Sequence, residues 1–207
     1  MDKAFLKNLF TSGEAALQTL KGKVYGKKFY HLGPKRDEDL IKGFETDRVS
    51  LDKCDFILCT GLFDEESNSL NYYKNLLKKY TNLKMLCTNP DLIVHRGSQA
   101  EYCAGSIAAI FEKLGGKVVY FGKPYPEIYN FCLKKIFLKS NKKILIIGDS
   151  LENDIRGAVN QNLDSLLVTD GIHREVNNDS GVDKEKLNDL IKKKKIYPKY
   201  YMRKLVI

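Results

Sequence analysis

Residues 144–147 constrain the fold most, because they form an apolar run, Ile-Leu-Ile-Ile, with no polar alternation. Such a run is typical of a strand buried on both faces in the middle of a parallel sheet, with neighbours on both sides. Gly148 and Asp149 follow directly, and ligands gather at the carboxyl ends of strands in open α/β sheets. We therefore predict an α/β fold with a parallel sheet and a site for chemistry at this strand end.

The rest of the chain alternates between strand-like and helix-like segments, which favours parallel sheets. Strands are predicted at residues 29–32, 54–60, 83–88, 118–121, 143–147 and 165–169, and helices at 37–44, 67–80, 102–114, 126–138 and from 153. Only two good strands accompany residues 144–147 after position 117. Since a typical sheet has about five strands, we expect one or two strands to be missing before residue 1.

Composition excludes several classes of protein. With 43% hydrophobic residues among 207 the chain is globular, and no apolar run approaches the ~20 residues of a membrane helix. The first residues, Met-Asp-Lys, precede no signal core, so we expect a cytoplasmic protein with no membrane partner. The net charge is +9, but the lysines are scattered and no nucleic-acid motif is visible. A solvated basic surface is therefore favoured over nucleic-acid binding.

The five cysteines are odd in number and match no zinc spacing. Cys59 and Cys87 lie in apolar runs that are predicted to be strands. A catalytic cysteine needs a nearby base, and the three histidines offer no obvious partner. We therefore expect buried, reduced thiols.

Three side chains form the candidate site. Asp149 ends the 144–147 strand and Asp154 follows five residues later; two such carboxylates suit Mg²⁺. Lys123 ends the 118–121 strand, and a lysine beside a metal-binding aspartate can neutralise a phosphate. Two alternatives stay open, since Asp154 could instead cap its helix and Lys123 could be solvated.

These motifs resemble those of a known enzyme family. The segments 121–124 (Phe-Gly-Lys-Pro) and 148–155 (Gly-Asp-Ser-Leu-Glu-Asn-Asp-Ile) resemble the third and fourth motifs of the haloacid dehalogenase superfamily of phosphohydrolases. Residues 88–91 (Thr-Asn-Pro-Asp) and the later Gly97 resemble the large cap of subclass IIA, which holds NagD-like and nitrophenylphosphatase-like enzymes. Residues 11–14 (Thr-Ser-Gly-Glu) resemble the start of the helix that leads into that cap.

The resemblance implies a Rossmann-like core of parallel strands with an inserted α/β cap domain. Residues 1–20 would form the helix that connects core to cap, residues 21–116 the cap, and residues 117–207 the C-terminal part of the core. It also implies a Mg²⁺-dependent phosphatase whose substrate is a small phosphorylated metabolite.

The resemblance assigns roles to five residues. Lys123 would bind the phosphate, and Asp149 and Asp154 would hold the magnesium ion. In the cap, Asn89 and Asp91 would face the substrate.

One part of the family pattern is missing. In the family an aspartate of an Asp-x-Asp motif attacks phosphorus, and no such motif follows an apolar strand here: residues 37–39 lie in a charged helical stretch, and residues 64–65 follow a strand of the cap. No catalytic residue is therefore assigned. We expect an incomplete core and a truncated or split phosphatase that is inactive alone and is completed by a separately encoded N-terminal fragment.

Two further expectations concern self-association and an alternative function. The apolar edge beside residues 144–147 would be open to self-association. The alternative function is a degenerate, non-catalytic module that binds a phosphorylated ligand or a protein.

Overall fold

The computed structural model describes residues 9–66, 69–96, 99–137 and 144–206. The chain divides into two compact units, Met1–Gly122 and Lys123–Ile207. Both contain parallel strands that alternate with helices, so the predicted α/β class is confirmed. Residues 1–8 of the predicted connecting helix, and Gly97, lie outside the described residues. No helix in the described part of the chain is long and apolar enough to cross a membrane.

The first unit is built of three α-helices, short 3₁₀ helices and six strands within its described ranges. In chain order these are α1 (Ser12–Lys21), β1 (Phe29–Leu32), 3₁₀ helices at Lys35–Ile41, Glu45–Asp47 and Leu51–Lys53, β2 (Phe56–Cys59), a 3₁₀ helix at Asp64–Glu66, α2 (Leu70–Leu77), β3 (Lys84–Cys87), β4 (Ile93–Arg96), β5 (Gln99–Tyr102), α3 (Ala104–Lys113) and β6 (Lys117–Tyr120). The segment predicted as a helix at 37–44 is thus a 3₁₀ helix, which buries only Ile41.

Four of these strands form one parallel sheet in the order β1-β2-β3-β6. All four residues of β2 are buried, as expected for an inner strand covered on both faces. Helices α2 and α3 contribute Tyr73, Leu77, Ile107 and Phe111 to the core that packs on the sheet. The apolar spacing of both helices therefore follows from the sheet face that they cover.

Strands β4 and β5 form a separate antiparallel hairpin that the sequence did not predict. Its outer residues Ile93 and Tyr102 are 48% and 39% exposed. The segment lacks a clear apolar alternation because it contributes little to the core, and alternation is the main sequence signal for a strand.

The second unit contains a smaller parallel sheet. Its elements in chain order are α4 (Pro126–Phe137), β7 (Leu145–Gly148), a π-helical turn (Leu151–Ile155), α5 (Arg156–Asn160), β8 (Asp164–Val168), a 3₁₀ helix (Arg174–Val176), β9 (Asn177–Asn178), β10 (Gly181–Val182), α6 (Lys184–Lys194) and β11 (Tyr200–Met202). The sheet order is β11-β8-β7, and β9 pairs with β10. Leu151, Ile155, Leu167, Leu187 and Ile191 form its core.

Strand β6 lies at one end of the sheet of the first unit. It pairs with β3 in the register Cys87 to Tyr120, and the first compact unit ends at Gly122. The predicted cap of residues 21–116 stays a prediction. Local sequence shows that residues 117–120 form a strand, but the partner is chosen by packing with distant segments.

Strand β7 lies at one end of its sheet. In the described part of the chain it pairs with β8 alone, and Leu145 and Ile147 are 43% and 45% exposed. The described residues thus leave one edge of β7 unpaired, in agreement with the open apolar edge expected beside residues 144–147. The strand carries the sequence of a buried strand in the position of an edge strand.

Candidate functional site

The loop that follows β7 carries both candidate acids, and a π-helical turn shapes it. Ser150 is the N-cap of this turn, and its hydroxyl accepts a hydrogen bond from the Asn153 backbone N–H at 3.1 Å. The alternative in which Asp154 caps the helix is therefore wrong. Instead, the Asp154 carboxylate turns back and accepts from the Ser150 backbone N–H at 3.1 Å through Oδ2. π-Helical turns are rare overall, but those that occur often lie at functional sites.

Lys123 and Asp154 form an ion pair through Lys123 Nζ and Asp154 Oδ1. The aspartate side chain is only 8% exposed, whereas the lysine side chain is 53% exposed. Because a buried carboxylate requires a partner, the lysine compensates its charge. About half of the lysine side chain also remains exposed, so it can contact an anion from the solvent side.

Glycines make room for both carboxylates. A Cβ on Gly148 would lie 2.2 Å from Asp154 Cγ, and a Cβ on Gly171 would lie 2.2 Å from Asp149 Oδ2. Asp149 Oδ2 also accepts a hydrogen bond from the Ile172 backbone N–H at 3.2 Å. Any larger residue at either glycine would displace an acid, so the backbone is shaped around the two carboxylates.

His173 is a residue of this region that the sequence analysis missed. Its Nε2 accepts a hydrogen bond from the buried Leu151 backbone N–H at 3.2 Å, and the side chain is buried. The only available signal was its position a few residues after the strand predicted at 165–169. That signal is weak, because many residues follow strand ends without touching a site.

The two acids fit a hard, oxygen-seeking cation. Mg²⁺ usually takes one or two protein carboxylates and completes its shell with water and phosphate oxygens, which is the donor set that Asp149 and Asp154 offer. The described residues contain no cluster of three or more His, Cys, Asp or Glu side chains that could hold a metal alone. A cation held here would therefore depend on further oxygen ligands beyond these two side chains.

Tyr129 on α4 has a buried hydroxyl close to this region. Its side chain is 6% exposed, and its oxygen has no hydrogen-bond partner in the described structure. Burial raises the pKa of this phenol to about 12, with a further contribution from the Asp154 charge. The hydroxyl therefore stays protonated, and it lies close enough to Asp154 for the carboxylate charge to raise its pKa.

The first unit has a cavity of about 750 Å³ at the carboxyl ends of β1, β2 and β3. The polar side chains on its wall include Arg36, Asp37, Thr60, Asp64, Asn89 and Glu101. Its position matches the rule that ligands bind at the carboxyl ends of parallel strands. Its size suits a small organic molecule.

The two predicted cap residues fall in different places. Asn89 lines this cavity, and its side-chain oxygen accepts from the Asp91 backbone N–H at 3.0 Å. Asp91 is exposed and is not part of the cavity wall described here. Asn89 thus both shapes the turn and borders the cavity, whereas Asp91 does neither with its side chain in the described structure.

A buried histidine supports the same cavity wall. His31 Nε2 lies 3.0 Å from the Thr60 hydroxyl, and burial lowers the pKa of the imidazole. Its Nδ1 has no partner among the described residues. The ring therefore orients Thr60, which lines the cavity.

Comparisons of sequence and structure relate this chain to known hydrolases. The sequence model of a family described as HAD-hydrolase-like matches residues 120–200. Over 90 residues, or 43% of this chain, the sequence is 31% identical to a dihydroxyacetone phosphatase from Corynebacterium glutamicum and 33% identical to the ribonucleotide monophosphatase NagD from Escherichia coli. These matches cover 32% and 34% of those proteins, so the chain spans about a third of the curated relatives that it matches.

Two solved structures resemble almost the whole chain. A haloacid dehalogenase-like hydrolase from Brucella suis is 30% identical, with a TM-score of 0.70 over 95% of this chain and 72% of that one. A p-nitrophenyl phosphatase from Archaeoglobus fulgidus is 17% identical, with a TM-score of 0.69 over 92% of this chain and 69% of that one. The second likeness concerns the fold alone.

Proposed function

Since the chain belongs to the haloacid dehalogenase-like hydrolase family, we propose that it supplies the metal-binding and phosphate-binding part of a phosphatase. The substrate class is a small phosphorylated metabolite. The observation that carries the proposal is the ion pair between Lys123 and Asp154, because Asp154 lies on the same loop as Asp149. These are the three residues that the motifs assign to phosphate and magnesium.

Each residue has a stated task in this proposal. Asp149 and Asp154 hold Mg²⁺, which when bound neutralises charge on the phosphate. Lys123 neutralises the remaining phosphate charge with its exposed ammonium group. Lys123 also pairs with Asp154, so it offsets the charge of this carboxylate as well.

The proposal includes no nucleophile from this chain. The family reaction needs an aspartate that forms a covalent intermediate, and no Asp-x-Asp follows an apolar strand in the sequence. We propose that the chain is inactive alone and that a separate N-terminal fragment of the family supplies this aspartate. The exposed Leu145 and Ile147 on β7 support this idea, because an apolar edge strand readily pairs with an added strand.

We assign the cavity of the first unit to selection of the organic part of the substrate. Its wall combines charged and hydrogen-bonding groups, including Arg36, Asp64 and Asn89. Such groups can recognise hydroxyl or amino substituents of a metabolite. Substitution of Asn89 by Ala should change the order of preference among phosphorylated substrates more than it changes Mg²⁺ affinity.

The experiment measures Mg²⁺ binding by the purified chain calorimetrically, and then phosphate release from p-nitrophenyl phosphate. We expect the chain to bind Mg²⁺, to release no phosphate alone, and to release phosphate when a family fragment bearing the Asp-x-Asp strand is added. Asp149→Ala should abolish that activity. Unchanged activity in Asp149→Ala would rule out the metal assignment.

The same experiment distinguishes the alternative function. A non-catalytic module would bind a phosphorylated ligand with or without the added fragment and would never release phosphate. Turnover by the chain alone would contradict both proposals, because it would require a nucleophile that neither assigns.

A further inference from the structure

We propose that His173 is a positioning residue that holds the Asp149–Asp154 loop in its metal-binding conformation. The inference rests on the proposed function, because it assumes that these two acids bind the metal. It is carried by a hydrogen bond between a buried backbone N–H and a buried imidazole nitrogen.

The backbone N–H of Leu151 needs an acceptor that its own helix does not provide. Leu151 is the first residue after the Ser150 N-cap, and the first N–H groups of a helix have no partner within it. Leu151 is fully buried, so water cannot substitute readily. His173 Nε2 fills this role at 3.2 Å, which avoids the cost of a buried unsatisfied donor.

The direction of this bond fixes the state of the ring. Because the backbone N–H donates, Nε2 must carry a lone pair, and the ring proton must lie on Nδ1. Nδ1 faces Glu175 Oε1 at 3.6 Å, on the exposed side of the ring. His173 therefore acts here as a hydrogen-bond acceptor, a role that no hydrophobic side chain of similar size can take.

The segment around His173 grips the acidic loop at two neighbouring points. The Ile172 N–H donates to Asp149 Oδ2 at 3.2 Å, and His173 accepts from Leu151, two residues further along the loop. Gly171 leaves the space that Asp149 Oδ2 occupies. The segment 171–173 thus fixes both the carboxylate of Asp149 and the backbone that leads from it.

Fixing this backbone sets the separation of the two acids. Residues 150–153 connect Asp149 with Asp154, and Asp154 is anchored by Ser150 N–H and Lys123. Mg²⁺ demands near-ideal octahedral geometry, so movement of the loop would misplace a ligand. Partners that orient metal ligands from outside typically change metal affinity by about 10–100-fold when removed.

The test compares two variants of the full chain. His173→Gln keeps an acceptor oxygen where Nε2 lies, whereas His173→Leu keeps the bulk and removes the acceptor. We expect His173→Leu to bind Mg²⁺ at least about tenfold more weakly than wild type and His173→Gln to stay within about threefold. Amide hydrogen exchange should show protection of Leu151 N–H in wild type and in His173→Gln, and loss of that protection in His173→Leu.

Leu187→Ala serves as the matched control. Leu187 on α6 lies in the same core as Leu151. It shares no described side-chain hydrogen bond with Leu151 or His173. It should lower stability without weakening Mg²⁺ binding. If His173→Leu does not fold, the proposal stands or falls on His173→Gln, which must keep both the Leu151 protection and the Mg²⁺ affinity.

The outcomes separate this inference from the proposed function. Wild type that binds Mg²⁺ together with His173→Leu of equal affinity would overturn the role of His173 and leave the proposed function intact. Equal weakening in Leu187→Ala would also overturn it, because general destabilisation would then explain the effect. Wild type that does not bind Mg²⁺ would overturn both.

Discussion

Replacement of Lys123 by Met should destabilise the protein, because it leaves a buried carboxylate without its cation. Removing one partner of a fully buried ion pair costs about 3–5 kcal/mol, whereas an exposed pair contributes about 0–1 kcal/mol. The Asp154 side chain is 8% exposed and the Lys123 side chain is 53% exposed, so the pair lies between these limits. We expect a loss of about 1–2 kcal/mol at neutral pH.

A double-mutant cycle isolates this interaction from other effects of the substitutions. Lys123→Met, Asp154→Asn and the double variant are unfolded in urea, with far-UV circular dichroism as the probe. The cycle should give a coupling energy of about 1–2 kcal/mol. The denaturant slope should stay constant, since a change in slope would signal an altered unfolded or native state.

Lys199 offers a matched control in the same unit. It pairs with Asp164 at 2.8 Å, and the two side chains are 52% and 41% exposed. The two lysine side chains are thus about equally exposed, whereas Asp164 is far more exposed than Asp154. The Lys199–Asp164 coupling should be below about 1 kcal/mol and should fall further in 1 M salt. If the two pairs gave equal coupling energies, burial of Asp154 would not be the reason for the effect and the argument would be wrong.

Three further predictions concern other parts of the chain. Tyr129→Phe should leave stability unchanged or raise it by about 1 kcal/mol, because the hydroxyl is buried without a described partner. Gly157→Ala should destabilise both wild type and Tyr129→Phe, since the added Cβ would lie 2.0 Å from that hydroxyl and 2.6 Å from Cζ. Urea unfolding of wild type, the two single variants and the double variant checks both expectations. Hydrogen bonds from backbone N–H groups lower the pKa of Asp55, so the ionised carboxylate stabilises the fold above its unfolded pKa of ~3.9, and this stabilisation is lost as the pH falls through the lower folded value. For so exposed a group the stability difference between wild type and Asp55→Ala should be less than about 1 kcal/mol. That difference should vanish near pH 2. Burial raises the thiol pKa of Cys59 and raises that of Cys87 to about 12, so mass spectrometry should find both unalkylated by iodoacetamide at pH 8 until urea is added, and native-state labelling of either would contradict the described burial.

The candidate site shows how far local sequence can lead. Lys123, Asp149 and Asp154 were predicted from residue type and from their positions at strand ends. The structure joins Lys123 to Asp154 directly. Their chemistry as a metal and phosphate site stays a prediction, which the experiments above address. Only a weak sequence signal points to His173, because its partner is a backbone N–H of a loop 22 residues away.

The fold shows the same division. The apolar runs within 54–60, 83–88, 118–121 and 143–147 predict strands, since burial between layers selects continuous apolar residues. They do not specify which strand pairs with which. That β6 pairs with β3 and that β7 pairs with β8 alone in the described chain emerge only from the structure.

The amino-acid sequence alone predicts the α/β class, most strands of the two parallel sheets, and the candidate residues for a cation and a phosphate. These follow from side-chain chemistry and from short-range periodicity, which any local segment carries. Three features emerge only from the fold: Asp154 is buried against Lys123, a π-helical turn directs it there, and His173 accepts a hydrogen bond from the Leu151 backbone. Those features depend on burial and on hydrogen bonds between distant segments, and such contacts leave no regular spacing in the chain.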